Sequence, residues 1–106
     1  MKTSHAITTG GKEYPLRLTT GAVISIEKKL GKSMLTALEN IEESMVETIV
    51  TILWGAMQPL NDNISFEDTM NLIDEYIDEG NTFDDMMYEV IAFLSMSGFV
   101  NGGQDE

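Results

Sequence analysis

The chain has 106 residues, 42% of them hydrophobic and 23% charged, a size and balance that suit one domain with a core large enough to stand without staples. It holds no Cys and one His, which excludes disulfides, thiolate metal sites and the common imidazole-based ones. The formal net charge is −12, yet every Lys and Arg precedes Ser33, so the first 32 residues carry +4 and the remainder, with sixteen carboxylates, carries −16.

Direct nucleic-acid binding is not expected, because phosphate contacts need cations along a face. No basic stretch followed by an apolar run opens the chain, and no apolar run is long enough to span a bilayer. A cytosolic protein without a membrane partner is therefore expected. The acidic excess reads first as a solvated surface that keeps the protein dispersed. It is also suited to a basic partner or to the chain's own basic end in a neighbouring copy.

Residues 5–18 read HAITTGGKEYPLRL, and Gly-Gly between two β-compatible runs predicts a hairpin. Tyr14, Leu16 and Leu18 alternate and share one face, leaving Lys12, Glu13 and Arg17 toward water. Pro15 cannot donate to a ladder and confines its strand to an edge or a broken pairing. A two-stranded ribbon is not stable alone, so its apolar face must lie on helices. Thr19 or Thr20 caps a helix over 20–30 with Ala22, Val23, Ile26 and Leu30 on one side, and Gly31 stops it. Ser33 caps a short helix over 34–41 that holds Met34, Leu35, Ala37, Leu38 and Ile41.

The stretch 45–57, MVETIVTILWGAM, organises the rest. At roughly 100° per residue, Ile52, Met45, Ala56, Ile49, Leu53, Val46, Met57, Val50 and Trp54 sweep an apolar arc of about 200°. A surface helix needs about half of that, so this helix is to be covered from more than one side. Glu47, Thr48, Thr51, Gly55 and Gln58 take the remaining arc. Ser44 and Glu47 match a capping box, and Pro59 ends the pattern.

After the turn QPLNDN, Ser65 and Asp68 match a capping box with the shorter acid, opening a helix over 66–79. Phe66, Met70, Ile73 and Ile77 form its stripe, flanked by Thr69, Leu72 and Tyr76. The opposite face carries Glu67, Asp68, Asp74, Glu75, Asp78 and Glu79 without a counter-cation, although acids suit only a helix's first turn. Gly80 closes this helix and Thr82 caps the last one, over 83–97. There Phe83, Met86, Met87, Val90, Ile91, Phe93 and Leu94 face inward, Tyr88 and Met96 fall on the polar side, and Gly98 ends the element. Phe99 and Val100 tuck back, and 101–106, NGGQDE, reads as a loose tail. The fold class is thus mainly α: an N-terminal β-hairpin over about 5–18 packed on a bundle of four to five short helices, as one domain over 1–100.

The residues offer little chemistry. The carboxylates lie on polar faces of amphipathic helices rather than as an environmentally distinct pair in a cleft. Asn61-Asp62-Asn63 lacks the Gly and the bidentate Glu of a calcium loop. Gly10-Gly11 lacks the Gly-Lys-Ser/Thr of a phosphate loop, and His5 has no nucleophile motif beside it. No enzyme activity, cofactor or metal is expected. Met34, Met45, Met57, Met70, Met86 and Met87 fall on apolar stripes as core fillers, although Met also suits surfaces that accept varied apolar helices.

The block GGKEYPLRLTTGAVISIEKKLGKSM carries a family resemblance. Gly11, Lys12, Tyr14, Leu16 and Arg17, then a Thr-capped helix with Glu27, Leu30 and Gly31, then a small helix after Ser33, resemble the tail assembly chaperones of long-tailed bacteriophages, prophages and gene transfer agents. The likeness continues more loosely through ILWGAM at 52–57 and the acidic remainder. It implies a non-enzymatic protein of the host bacterial cytoplasm that holds the helical tape measure protein soluble until tail tube subunits polymerise around it. The protein would then be missing from the mature virion. The resemblance also implies a second, frameshifted form, and the tail tube protein is a further candidate partner.

On this reading Leu53, Trp54, Met57, Met87 and Met96 are the candidate partner-binding residues, with Trp54 foremost at the limit of the apolar arc. The alternative is an acidic nucleic-acid mimic that inhibits a basic host factor through the face at 67–79. A homo-oligomer, with the basic end of one copy on the acidic body of the next, is a further expectation.

Overall fold

The computed structural model describes residues 5–100. Its first element is a two-stranded antiparallel ribbon, β1 (His5–Thr9) and β2 (Lys12–Leu16), in which Thr9 faces Lys12 and His5 faces Leu16. Gly10 and Gly11 make the two-residue turn with φ of 62° and 75°. Positive φ at both positions gives the turn the twist its strands need, and only Gly adopts it without cost. Ile7, Leu16 and Leu18 are buried and Tyr14 is half-buried, while Lys12, Glu13 and Arg17 are exposed, as the alternation predicts.

Five helices follow: α1 (Thr20–Leu30), α2 (Met34–Glu39), α3 (Met45–Met57), α4 (Phe66–Asp78) and α5 (Phe83–Ser97). The fold is mainly α, with the hairpin packed on the helices. Thr19 caps α1, its hydroxyl accepting from the Ala22 amide at 3.1 Å. Lys28 and Lys29 sit in the last turn of α1, where they favour the helix dipole. Ser33 caps α2 in the same manner. Glu27 reaches across from α1 and accepts the Met34 amide at 2.8 Å, so a second orphan donor of α2 is satisfied.

α2 stops two residues before the expected end, and a 3₁₀ turn over Ile41–Glu43 separates it from α3. This turn changes the start of α3. Ser44 stands at the N-cap but makes no side-chain cap bond, contrary to the expected capping box. The reason is local: its amide already closes the 3₁₀ turn on the Ile41 carbonyl at 3.2 Å. Its backbone (φ −150°, ψ 52°) also lies away from the extended conformation that aims a cap hydroxyl at the next turn.

α3 is central. α1, α4, α5 and β2 all pack on it, and Thr48, Thr51 and Gly55, which the pattern leaves off the apolar arc, are buried with the rest. A Cβ at Gly55 would overlap the Ile26 side chain of α1, so glycine sets how closely these two helices approach. The C-terminal carbonyls of α3 are satisfied one by one. Trp54 O accepts from the Gln58 side chain at 2.7 Å and Gly55 O from the Gln58 amide at 3.2 Å. Ala56 O accepts the Arg17 amide at 2.9 Å, just past β2, and Met57 O accepts the amide and side chain of Asn61. The same Asn61 side chain donates to Pro15 O at 2.9 Å. The four acceptors that every helix end leaves open therefore stitch ribbon, helix and following loop together.

Ser65 and Asp68 form the expected capping box on α4, and Thr82 and Asp85 form another on α5. The Ser65 amide and hydroxyl hold the Asp68 carboxyl below its ordinary range. The buried side of α4 is Thr69, Leu72, Ile73 and Tyr76, whereas Met70 and Ile77 are exposed. The helix is thus rotated from the expected stripe toward its flank. Thr69 tolerates burial because its hydroxyl donates to the Ser65 carbonyl at 3.0 Å. On α5, Met86, Val90, Phe93 and Leu94 are buried, Phe83 and Met87 are half-buried, and Ile91 is exposed rather than inward. Val100 packs against the core while Phe99 stays exposed. The expected tail at 101–106 lies outside the described residues.

Candidate functional site

The loop between α3 and α4 is tied by one side chain. Gln58 Nε2 donates to Trp54 O at the end of α3 and to Ile64 O just before α4, the latter at 2.9 Å. With the Ser65 cap fixing the first turn of α4, Phe66 is brought edge-on to Trp54, ring centroids 6.2 Å apart. Lys29 from α1 lays its ammonium 4.5 Å from the Phe66 centroid and 5.5 Å from that of Trp54, a cation–π arrangement. Both rings are half-buried.

Beside this cluster runs a mainly apolar groove of about 550 Å³ between α3 and α4, lined by Lys29, Val46, Glu47, Val50, Thr51, Phe66 and Met70. Val46 is 56% exposed and Met70 43%. Two large apolar side chains in water on facing helices, with one cation and one carboxylate at the rim, suit an apolar helical segment of another protein.

The five sequence-predicted site residues do not come together. Leu53 and Met57 are wholly buried, a correction to their role as surface contacts: both lie on sides of α3 that its neighbours cover, so both are core. Trp54 borders the groove through Phe66 and Lys29, Met87 is half-buried against the core, and Met96 is exposed on α5. Val46 and Met70 are legible as members of apolar stripes. Lys29 and Phe66 join the site through contacts between helices that no local pattern signals.

The acidic face of α4 also changes meaning. Glu79 accepts the Gly10 amide at 2.6 Å and the Thr9 hydroxyl at 3.1 Å, and a Cβ at Gly10 would meet the Glu75 carboxylate. Part of the face is therefore the seat of the hairpin tip. Lys12, whose ammonium lies 5.0 Å over Tyr14, shares a groove of about 510 Å³ with Asp68, Asp74, Glu75 and Asp78. Among the described residues no Lys or Arg is paired with a carboxylate; the close pair is His5 Nε2 with Glu89 Oε1 at 3.2 Å, joining β1 to α5. Tyr76 titrates above its ordinary value, chiefly because it is buried and then because Glu89 and Asp85 are near. No cluster of three or more His, Cys, Asp or Glu that could hold a metal ion occurs among the described residues, and none of their helices is long and apolar enough to cross a membrane.

Residues 1–105 match the model described as "Family of unknown function (DUF6096)". The chain belongs to that family. No curated protein and no solved structure matches it. The family carries no stated activity, so the function rests on the residues.

Proposed function

We propose that this protein is a non-enzymatic chaperone for a long apolar helical protein, and specifically a tail assembly chaperone that holds the tape measure protein of a long-tailed phage or prophage. The observation that carries the reading is the groove between α3 and α4, where Val46 and Met70 stand in water beside the Lys29, Trp54 and Phe66 cluster. An amphipathic segment lays its apolar side chains into such a groove, and Met adapts to varied sequences. The net −16 of residues 33–106 keeps loaded complexes apart by repulsion. The protein works in the host bacterial cytoplasm, hands its client to the tail tube protein and does not enter the virion. The sequence resemblance supports the choice of client.

Co-expression with the tape measure protein of the same phage or prophage tests this directly. The wild type should keep the client soluble and co-purify with it, and the double variant Val46→Glu, Met70→Glu should do neither while remaining folded. An insoluble client with nothing co-purifying, or full activity in the double variant, removes the reading.

A further inference from the structure

A hollow of about 450 Å³ lies between α4 and α5, lined by Tyr76, Asn81, Asp85, Tyr88, Glu89 and Ala92. It shares no residue with the groove between α3 and α4. On α5, Asp85, Tyr88, Glu89 and Ala92 stand at i, i+3, i+4 and i+7 and so share one side of the helix, where the small Ala92 side chain leaves room. Tyr76 enters the hollow from α4. It is only 7% exposed, and its hydroxyl has no hydrogen-bond partner among the described residues, although Asn81 Nδ2 donates to its main-chain oxygen at 2.9 Å. Burial first, and then the Glu89 and Asp85 charges, lift its titration above the ordinary value, so the hydroxyl stands in the field of both carboxylates. A buried polar group without a partner is costly, and it marks a place where another molecule can complete the bonding.

The other polar atoms around the hollow are acceptors. Asp85 spends one carboxylate oxygen on the Thr82 amide at 2.9 Å, and Glu89 spends one on His5 Nε2 at 3.2 Å. Each keeps a second oxygen. The Asn81 amide nitrogen is used on Tyr76, which leaves its oxygen as an acceptor. No Lys or Arg lines the hollow.

We propose that this hollow binds the guanidinium of an arginine carried by a partner protein. Two carboxylates, an amide oxygen and a phenol call for a cation that only donates. Guanidinium suits them better than ammonium. Its five N–H donors spread in a plane toward acceptors that come from α4, from the turn before α5 and from two turns of α5, and its flat face stacks on a ring such as that of Tyr88 at the rim. The sixteen carboxylates after Ser33 draw cations to the whole surface, but the buried hydroxyl and the space over Ala92 distinguish this place from that general field. The proposal goes beyond the chaperone reading and does not depend on it.

Aromatic NMR of the full chain, titrated with N-acetyl-argininamide, tests the proposal. The ring signals of Tyr76 and Tyr88 should shift together and saturate in the millimolar range, as befits a single side chain taken out of its protein. Tyr14, in the acidic groove beside α4, should stay still. N-acetyl-citrullinamide, the neutral isostere, should not bind, and the lysine counterpart should bind more weakly. Free arginine should also bind more weakly, because its own carboxylate is repelled. Ala92→Leu fills the hollow and Tyr76→Phe removes the hydroxyl alone, and each should weaken binding by about tenfold with unchanged far-UV circular dichroism. Shifts that never saturate or that appear equally at Tyr14, equal binding of the lysine or citrulline probe, or indifference to both variants would overturn the proposal. Tighter binding of free arginine would overturn it too, since the ligand would then be a small molecule. Val46→Glu, Met70→Glu should bind the probe like the wild type, so failure of the chaperone reading and failure of this one are told apart.

Discussion

α3 and α5 are both rich in apolar side chains, yet they end in opposite situations. α3 is walled in by α1, α4, α5 and the ribbon, and even its threonines and its glycine are buried. α5 buries Met86, Val90, Phe93 and Leu94 and leaves Tyr88, Ile91 and Met96 in water. The difference is one of neighbours rather than of residue type. A helix in the middle of a bundle buries nearly all it carries, α3 leaving only Val46 and Glu47 of its first turn exposed, whereas one at the edge buries a single stripe and offers the rest to solvent or to another molecule.

The largest test of this contrast is Leu53→Ala, which opens a cavity where no neighbour can collapse and should cost roughly 2–5 kcal/mol. Truncation at exposed Ile91 should change stability by less than about 0.5 kcal/mol. Denaturant unfolding of the two variants reads both; near-equal losses would break the comparison. Gly55→Ala should come next. Its methyl would drive into Ile26, and overpacking of this kind costs about 1–3 kcal/mol, enough to outweigh the helix propensity gained. An unfolding midpoint equal to or above the wild type would show that α1 shifts freely. The smallest effect separates the helix starts. Thr82→Ala removes the hydroxyl that caps α5 at 3.1 Å and should cost about 1 kcal/mol, whereas Ser44→Ala removes no cap bond and should be nearly silent in the same measurement.

The helices and the hairpin were legible because their signals are local: alternation at Tyr14, Leu16 and Leu18, caps at Thr19, Ser33, Ser65 and Thr82, and Gly10-Gly11 at the turn. The rotation of α4 was not. Met70 and Ile77 outrank Thr69 in hydrophobicity, but the side that meets α3 and β1 is set by packing, and Thr69 finds its partner within its own helix. Ser44 misled for a related reason, since the preceding 3₁₀ turn takes its backbone out of the capping geometry. Of the candidate site, the apolar character of Val46 and Met70 could be read. The convergence of Lys29 with Trp54 and Phe66 comes from three separate helices and has no trace in spacing.

The bond from the Arg17 amide to the Ala56 carbonyl bears on how this protein comes apart. A terminal two-stranded ribbon usually frays first, but here peeling it away would break this bond and bare Ile7, Leu16 and Leu18, all buried, at about 1.5–3 kcal/mol for each large apolar side chain. Ribbon and helix are therefore bound to one fate, and the least helical part of a helical protein belongs to the same melting unit as its central helix.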